Sequence, residues 1–211
     1  NVATPATLPI SASHGIELIA IGASTGGVSA IFDVVQGLPA NCPPIVITQH
    51  MPARFTPRFA QRMGSQFPFD VKEAEEGEVL RAGQIRVAPG DRHLSIGREG
   101  GRIRTKLDST SGPISGHIPS VDVLFNSVCS SIGAAAIGII LTGMGRDGAA
   151  GLRALRNAGA FTLGQSEASC IVYGMPKAAA ALSALDVELD LAQIAPRVCQ
   201  FLNSPSARKR A

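Results

Sequence analysis

Residues 17–31 read ELIAIGASTGGVSAI, and they join an apolar run to a glycine-rich turn and the start of a helical pattern. The run at 17–23 is typical of a buried strand, and residues 27–38, GVSAIFDVVQGL, have the spacing of an amphipathic helix. The apolar face of that helix comprises Ile31, Val34, Val35 and Leu38. A strand that enters such a turn either cradles a phosphate or presents a nucleophilic serine. The rest of the sequence has to decide between a phosphate-binding turn and a nucleophilic serine.

Strand and helix patterns alternate along most of the remaining sequence. Buried strands are predicted at PPIVITQH (43–50) and within AAAIGIILTG (134–143), with helices after each and two more near 176–184 and 190–202. Thr56 and Ser120 are predicted N-caps. The alternation indicates an α/β fold with a mostly parallel, doubly wound sheet and helices on both faces. Short strand patterns joined by glycine turns at 69–107 predict a hairpin-rich antiparallel insertion.

Composition excludes several classes of protein. Hydrophobic residues make up 45% of the chain and charged residues 17%, so a filled core is expected. The net charge of +3 and the aromatic content of 4% are too low for a nucleic-acid surface. The four cysteines have no zinc-ligand or C-x-x-C spacing, which favours reduced thiols in a cytoplasmic protein over a disulfide framework. No apolar run is long enough to span a membrane.

The sequence predicts three segments. Residues 1–15 are rich in Pro, Ala, Ser and Thr and are typical of a linker, which would be expected in a piece of a longer protein. Residues 16–203 are predicted to form a single domain, and residues 204–211 a flexible tail.

Three polar residues of the kinds used in acyl transfer follow predicted strands. Ser24 ends the first strand, His50 ends the second, and Asp147 lies in the loop after the strand that ends at Gly143. Because functional loops gather at the carboxyl ends of parallel strands, we expect the three side chains to meet at one sheet edge. A serine needs a base to act as a nucleophile, and an imidazole needs an acid to fix its tautomer. His50 is better placed for this role than His14, His93 and His117.

Each of these residues also has an ordinary structural explanation. Ser24 and Asp147 would each serve as a helix cap, and His50 as a hydrogen-bonded histidine at a strand end. A phosphate- or partner-binding module that uses the helix start after Gly27 is a further possibility. Neither explanation accounts for all three residues at one edge.

An NAD(P)-dependent reductase of the short-chain type is the alternative enzyme. Gly22 and Gly26 have the spacing of its glycine turn, and Tyr173 and Lys177 have the spacing of its Tyr-x-x-x-Lys pair. Pro176 lies between the last two, which opposes a continuous helix there. The second strand ends in Gln-His rather than in the acidic residue that would bind a ribose hydroxyl.

Six motifs in order, spanning about residues 17–185, resemble the catalytic domain of the chemotaxis methylesterase family, CheB: IGASTGG, QHMPARFT, APGDRHL, PSVDVLF, LTGMGRDGAAGL and QSEASCIVYGMPKAA. One departure is visible in HIPSVD, where Ile118 occupies a position at which many relatives have a basic residue. The family hydrolyses glutamate γ-methyl esters on chemoreceptor helices, and many members also deamidate receptor glutamines. The resemblance therefore implies a methylesterase without a metal or an organic cofactor, acting on methylated chemoreceptors in two-component signalling. It also implies a receiver domain in a longer parent chain.

The resemblance also assigns roles to residues. It implies Ser24 as nucleophile, His50 as base and Asp147 as acid, with Met144 supplying an oxyanion-hole N–H and Thr25 supporting the site. On the helix after His50, Arg58 and Arg62 are spaced by four residues, with Arg54 just upstream. We expect these arginines to steer an acidic substrate helix towards the site; a solvated helix face is the alternative.

Overall fold

The computed structural model describes residues 15–204. The predicted linker and tail therefore lie outside the described residues, except for Gly15 and Ser204, and so does His14.

The main sheet has seven strands, all parallel. They are β1 Leu18–Ala23, β2 Ile45–Gln49, β3 Asp70–Glu73, β4 Gln84–Val87, β7 Ala136–Ile140, β8 Phe161–Gln165 and β9 Val187–Leu189. Their spatial order is β3-β4-β2-β1-β7-β8-β9, so the first strand lies at the centre, with β2, β4 and β3 on one side and β7, β8 and β9 on the other. A separate antiparallel hairpin consists of β5 His93–Glu99 and β6 Arg102–Asp108.

Six α-helices cover the two faces of this sheet in the described part of the chain. They are α1 Gly27–Gln36, α2 Thr56–Gln66, α3 Val121–Ser131, α4 Ala149–Asn157, α5 Met175–Ala181 and α6 Leu191–Leu202. One apolar core joins the sheet to α1, α2 and α6, and a second joins it to α3, α4, α5 and the hairpin. The predicted doubly wound fold is confirmed. None of these helices combines the length and the hydropathy needed to cross a lipid bilayer.

The predictions for the middle of the chain are only partly right. The β5–β6 hairpin is confirmed, but β3 and β4 join the parallel sheet instead of an antiparallel insertion. The predicted cap at Ser120 is confirmed, because its hydroxyl accepts a hydrogen bond from the Val123 N–H at 3.4 Å. The predicted cap at Thr56 is wrong. The Thr56 hydroxyl donates at 3.2 Å to the Ala53 carbonyl and contacts Glu73 at 2.5 Å, and Phe55 precedes the helix.

The topology brings the ends of β1, β2 and β7 side by side. Ala23 is in register with Gln49, and the His50 N–H donates to the Ala23 carbonyl at 3.1 Å. The Ser24 N–H donates to the Thr142 carbonyl at 3.0 Å, beyond the last paired residues of β7. Residues that follow these three strands therefore share one edge of the sheet, as the sequence predicts.

Candidate active site

Ser24 sits in a sharp turn between β1 and α1. Its carbonyl accepts the Gly27 N–H at 2.8 Å, and Gly26 has φ +80°, a left-handed conformation that favours glycine. Gly26, not Ser24, is the N-cap residue of α1, so the explanation of Ser24 as a helix cap is wrong. The Ser24 residue is half-buried, and within residues 15–204 its hydroxyl has no hydrogen-bond partner. The hydroxyl is therefore free to react.

The loop after β7 packs directly against this turn. A Cβ on Gly143 would lie 2.7 Å from the Ser24 Cβ and 2.3 Å from the Met175 sulfur, so only glycine fits there. The next residue, Met144, is 71% exposed, and its N–H meets no acceptor among the described residues. An unpaired backbone donor in the loop that packs on the serine turn is the kind of group from which an oxyanion hole is built. The neighbouring Thr25 is exposed, and its carbonyl accepts the Thr142 hydroxyl at 3.0 Å.

His50 follows β2 and is oriented by Asp147. The two side chains meet at 2.8 Å between His50 Nε2 and Asp147 Oδ2. A carboxylate only accepts hydrogen bonds, so the proton lies on Nε2 and the Nδ1 lone pair remains available. His50 Nδ1 is buried and has no partner in the described structure. An imidazole with a fixed tautomer and a free lone pair is equipped to take a proton.

Asp147 is 1% exposed, and its carboxylate accepts four hydrogen bonds. Besides His50, the donors are the Ser120 hydroxyl at 2.8 Å and the N–H groups of Val121 at 2.7 Å and Asp122 at 3.1 Å. These three donors form the first turn of α3, where the helix dipole also favours a negative charge. Burial alone would raise the pKa of Asp147, but the hydrogen bonds hold it below its usual value. The carboxylate is therefore charged at neutral pH. Gly148, not Asp147, precedes α4, so Asp147 is not its cap.

Two other histidines lie near the site, and they differ in their contacts and in whether a ring nitrogen is free. The His117 ring stacks on the His50 ring, with centroids 3.8 Å apart and planes 9° apart. Burial and the neighbouring His50 lower the pKa of His117. His93 is 1% exposed and uses both ring nitrogens, since Nδ1 accepts the Ser120 N–H at 3.1 Å and Nε2 lies 3.2 Å from the Gly112 carbonyl. His93 therefore has no free nitrogen to act as a base.

The three arginines expected to steer substrate occupy different surroundings. The Arg54 guanidinium lies over the Phe55 ring at 4.7 Å, and that of Arg62 lies over Phe32 of α1 at 4.8 Å. Arg58 is exposed on α2 and forms no ion pair with any described residue. Arg58 is thus the member of the group whose charge is least engaged.

The residues of the alternative reductase do not form a pair on one helix. α5 begins at Met175, so Tyr173 precedes it and Lys177 lies within its first turn. The Tyr173 hydroxyl donates to Glu188 at 2.8 Å, and burial together with Glu188 raises the pKa of Tyr173 to about 12. This tyrosine lacks the lowered pKa of a proton donor in catalysis. Residues 15–204 hold no cluster of three or more His, Cys, Asp or Glu that could bind a metal ion.

Sequence reasoning missed several polar side chains around this site. Gln49 and Thr142 hold the backbone of the Ser24 turn, and Ser120 holds Asp147. The signal for Gln49 and Thr142 was a polar residue at the end of an otherwise apolar strand pattern. The sequence around Ser120 indicates only a helix cap.

The chain matches a known protein family. Residues 19–198 match the family model described as CheB methylesterase. A protein-glutamate methylesterase/protein-glutamine glutaminase of Agrobacterium fabrum is 49% identical over 211 residues, which cover 99% of this chain and 59% of that protein. A protein of the same description from Caulobacter vibrioides, numbered 1, is 50% identical over 194 residues, covering 92% of this chain and 55% of that protein. The chain thus spans little more than half the length of these relatives.

A solved structure has the same fold. The crystal structure of the Thermotoga maritima CheB methylesterase catalytic domain superimposes with a TM-score of 0.85 at 34% identity, covering 88% of this chain and 98% of that one. The fold, the order of the motifs and the family match over residues 19–198 lead to one conclusion. The chain belongs to the CheB methylesterase family.

Proposed function

We propose that this chain hydrolyses glutamate γ-methyl esters on a protein substrate, with Ser24, His50 and Asp147 as its catalytic triad. The observation that carries the proposal is the 2.8 Å contact between His50 Nε2 and Asp147 Oδ2, which leaves a buried, unpartnered Nδ1. The names of the curated relatives, protein-glutamate methylesterase/protein-glutamine glutaminase, supply the substrate class. Residues 16–203 form the catalytic domain in this proposal.

In the first step, the Ser24 oxygen attacks the ester carbonyl while His50 Nδ1 takes the hydroxyl proton. The carbonyl oxygen becomes an oxyanion, which the Met144 N–H stabilises together with a donor from Thr25. Asp147 stabilises the imidazolium, because its carboxylate already accepts Nε2–H. The tetrahedral intermediate then collapses, the bond to the methoxy oxygen breaks, and His50 gives that oxygen its proton. Methanol leaves, and a glutamyl ester of Ser24 remains.

In the second step, water replaces the serine. His50 Nδ1 takes a proton from the water as it attacks the glutamyl-enzyme carbonyl, and the same N–H groups hold the oxyanion. Collapse breaks the bond to Ser24, which recovers its proton from His50, and glutamate leaves as the free acid. A glutamine side chain with ammonia as leaving group would follow the same path. Deamidation is therefore a second proposed activity of the same residues.

Exposed apolar side chains beside Ser24 favour a macromolecular substrate. Met144 is 71% exposed and Ile171 is 70% exposed, the highest values among the exposed large hydrophobic residues of the described chain. Met144 belongs to the loop packed on Ser24, and a Cβ on Gly26 would lie 2.8 Å from the Ile171 Cβ. Exposed apolar groups concentrated at a site indicate an interaction surface. A chemoreceptor cytoplasmic helix is the proposed partner.

Further parts of the proposal concern the cellular context. Arg54, Arg58 and Arg62 would attract an acidic receptor helix, and within residues 15–204 Arg58 is the member whose guanidinium lies over no aromatic ring. A receiver domain in a longer parent chain would regulate the site, and the cytoplasm is the proposed location.

The proposal is tested by methanol release from a methylated chemoreceptor cytoplasmic fragment. The matched control is Ser24→Ala, which removes a hydroxyl without a partner and should leave the fold unchanged. We expect release by the native chain and almost none by the variant. No release by either protein would reject the substrate, and equal release by both would reject Ser24 as nucleophile. NADPH binding by the native chain would favour the reductase instead.

A further inference from the structure

Gln49 is the last residue of β2, and its side chain is 97% buried at the end of a strand that otherwise carries apolar residues and one threonine. Its amide Nε2 donates to the Ser24 carbonyl at 2.9 Å and to the His50 carbonyl at 3.1 Å. Both acceptors are oxygens, so the amide can only face them with its NH₂ group. One buried side chain thus connects the backbone of the proposed nucleophile to that of the proposed base.

The Gln49 amide links the chain segments that follow β1 and β2, just beyond the last backbone hydrogen bonds between these strands. The regular pairing stops at Ala23 and Gln49, and the His50 N–H to Ala23 carbonyl bond is the last backbone link between the two strands. Beyond it, the Ser24 carbonyl also receives the Gly27 N–H, whereas the Gln49 amide is the only donor to the His50 carbonyl among residues 15–204. Removing the amide therefore releases the His50 backbone more than that of Ser24.

The buried position of Gln49 has a cost in stability, because half of its amide group is unpaired. This cost argues against a purely space-filling role. Its Oε1 is buried and has no hydrogen-bond partner in the described structure. A buried polar atom without a partner is unfavourable and calls for an explanation. Gly27 leaves the room for it, because a Cβ there would lie 2.1 Å from Oε1.

We infer that Gln49 is a positioning residue that sets the separation between the Ser24 hydroxyl and His50 Nδ1. The inference rests on the proposed function, since it assumes that these two groups exchange a proton. Thr142 performs the complementary task on the other side of the turn, where its hydroxyl donates to the Thr25 carbonyl at 3.0 Å. Among the described side chains, only that of Gln49 donates hydrogen bonds to the backbone of both Ser24 and His50.

The test compares Gln49→Met, which keeps the volume but removes both donors, with the matched control Thr48→Val. Thr48 is also fully buried on β2, but its hydroxyl has no partner in the described chain. For methanol release we expect Gln49→Met to lower kcat by about 10- to 100-fold, because a misplacement of about 1 Å has effects of this size. KM should change little, and Thr48→Val should keep the native kcat. A merely structural role would lower the melting temperature without lowering the kcat of the folded protein.

A second variant displaces the same amide without removing it. Gly27→Ala would place a methyl group 2.1 Å from Gln49 Oε1 and 2.6 Å from the Ala23 Cβ, so the amide has to move. We expect a loss of kcat in the same direction as in Gln49→Met. Native kcat in a folded Gln49→Met protein would overturn the inference.

Crystal structures of Gln49→Met and Thr48→Val keep the test independent of the substrate. If the native chain released no methanol, the proposed ester substrate would be wrong, and the structures would decide on Gln49. A changed separation of Ser24 Oγ and His50 Nδ1 in Gln49→Met alone supports the inference. An unchanged separation in both variants overturns it.

Discussion

Asp147→Asn is the substitution for which the structure makes the most detailed prediction. It replaces one oxygen of a carboxylate that accepts four hydrogen bonds with an NH₂ group that only donates. In one orientation this group faces the Asp122 N–H, which lies 3.1 Å from Oδ1. In the other it faces the Val121 N–H, which lies 2.7 Å from Oδ2. Either way, one buried backbone donor loses its acceptor.

The expected loss of stability follows from that unpaired donor. Leaving a buried donor unsatisfied costs about 1–3 kcal/mol. For a domain of this size, each kcal/mol lowers the melting temperature by about 2–4 °C. The variant should therefore fold and unfold cooperatively, at a measurably lower temperature than the native chain.

The expected loss of activity follows from the lost charge. An asparagine cannot stabilise the imidazolium that forms when His50 takes the serine proton. If its NH₂ group faces Nε2, it also favours the tautomer in which Nδ1 carries the proton. We expect kcat to fall by about 10⁴-fold, the magnitude found for the same change in another Ser–His–Asp enzyme.

The stability difference should depend on pH in a defined direction. The pKa of Asp147 is lowered in the folded protein, so its contribution to stability is present above the ordinary carboxyl pKa of 3.8. That contribution is lost as the pH falls through the folded-state value. The native chain should therefore exceed Asp147→Asn in stability at neutral pH, and the difference should shrink in acid. A difference that stayed constant from neutral pH into acid would contradict the assignment of a charged Asp147.

Asp122→Asn is the matched control, because it makes the same chemical change at a neighbouring carboxylate, whose backbone N–H donates to Asp147 at 3.1 Å. Asp122 accepts the Gly151 N–H at 2.7 Å through Oδ1, which an asparagine oxygen can replace, and burial raises its pKa. Methanol release and thermal unfolding are measured for both variants. Asp122→Asn should retain most of the native kcat. A folded Asp147→Asn protein with native kcat, or equal losses in the two variants, would refute the role of Asp147.

Three other predictions concern side chains outside the triad. Thr48→Val removes a buried hydroxyl that has no partner in the described structure, so thermal unfolding should show a gain of about 1 kcal/mol; a loss would mean that the hydroxyl is bonded. Glu78→Gln removes one of the two carboxylates that pair at 2.7 Å with the guanidinium of Arg86, which is 1% exposed, and denaturant titration should show a loss of about 1–3 kcal/mol; native stability would show that Asp70 alone suffices. Reversing the charges of Arg58 and Arg62 should slow demethylation of an acidic receptor fragment at low salt and weaken its salt dependence; an unchanged salt dependence would reject steering.

The fold was predictable because its main signal is local. The strands β1, β2 and β7 are runs of buried apolar residues, and such runs indicate a parallel sheet covered on both faces. The short strands β3 and β4 gave no such signal. All positions of β3 are exposed or half-buried, as in a hairpin, and β4 carries the charged Arg86 between two apolar residues. Only the contacts with α2 and β2 place these two strands in the parallel sheet.

The neighbourhood of Ser24, His50 and Asp147 was predictable from the rule that loops after parallel strands share an edge. The burial, the charge and the hydrogen-bond partners of these three side chains were not predictable from the sequence. Asp147 is buried and charged because the first turn of α3, at least 25 residues away in sequence, donates three hydrogen bonds to it. Nothing in the spacing of LTGMGRDG indicates those donors. The stacking of His117 on His50 is likewise a contact between distant segments.

The cap predictions show where local reasoning misleads. Thr56 followed by proline is a typical helix start, yet its hydroxyl contacts Glu73 on β3 instead of capping α2. Here a tertiary partner outcompetes the local one. Ser120 does cap α3, and the same hydroxyl also donates to Asp147, a second role that a capping motif does not reveal.

The central claim is that Ser24 forms a covalent glutamyl intermediate. The most direct measurement mixes the chain with a glutamate γ-methyl ester peptide, quenches the reaction in acid within the first turnover, and maps the modified peptide by mass spectrometry. We predict an adduct on Ser24 with the mass of the peptide acid less one water, and neither adduct nor methanol from Ser24→Ala. An adduct on another residue, or native methanol release by Ser24→Ala, would contradict it.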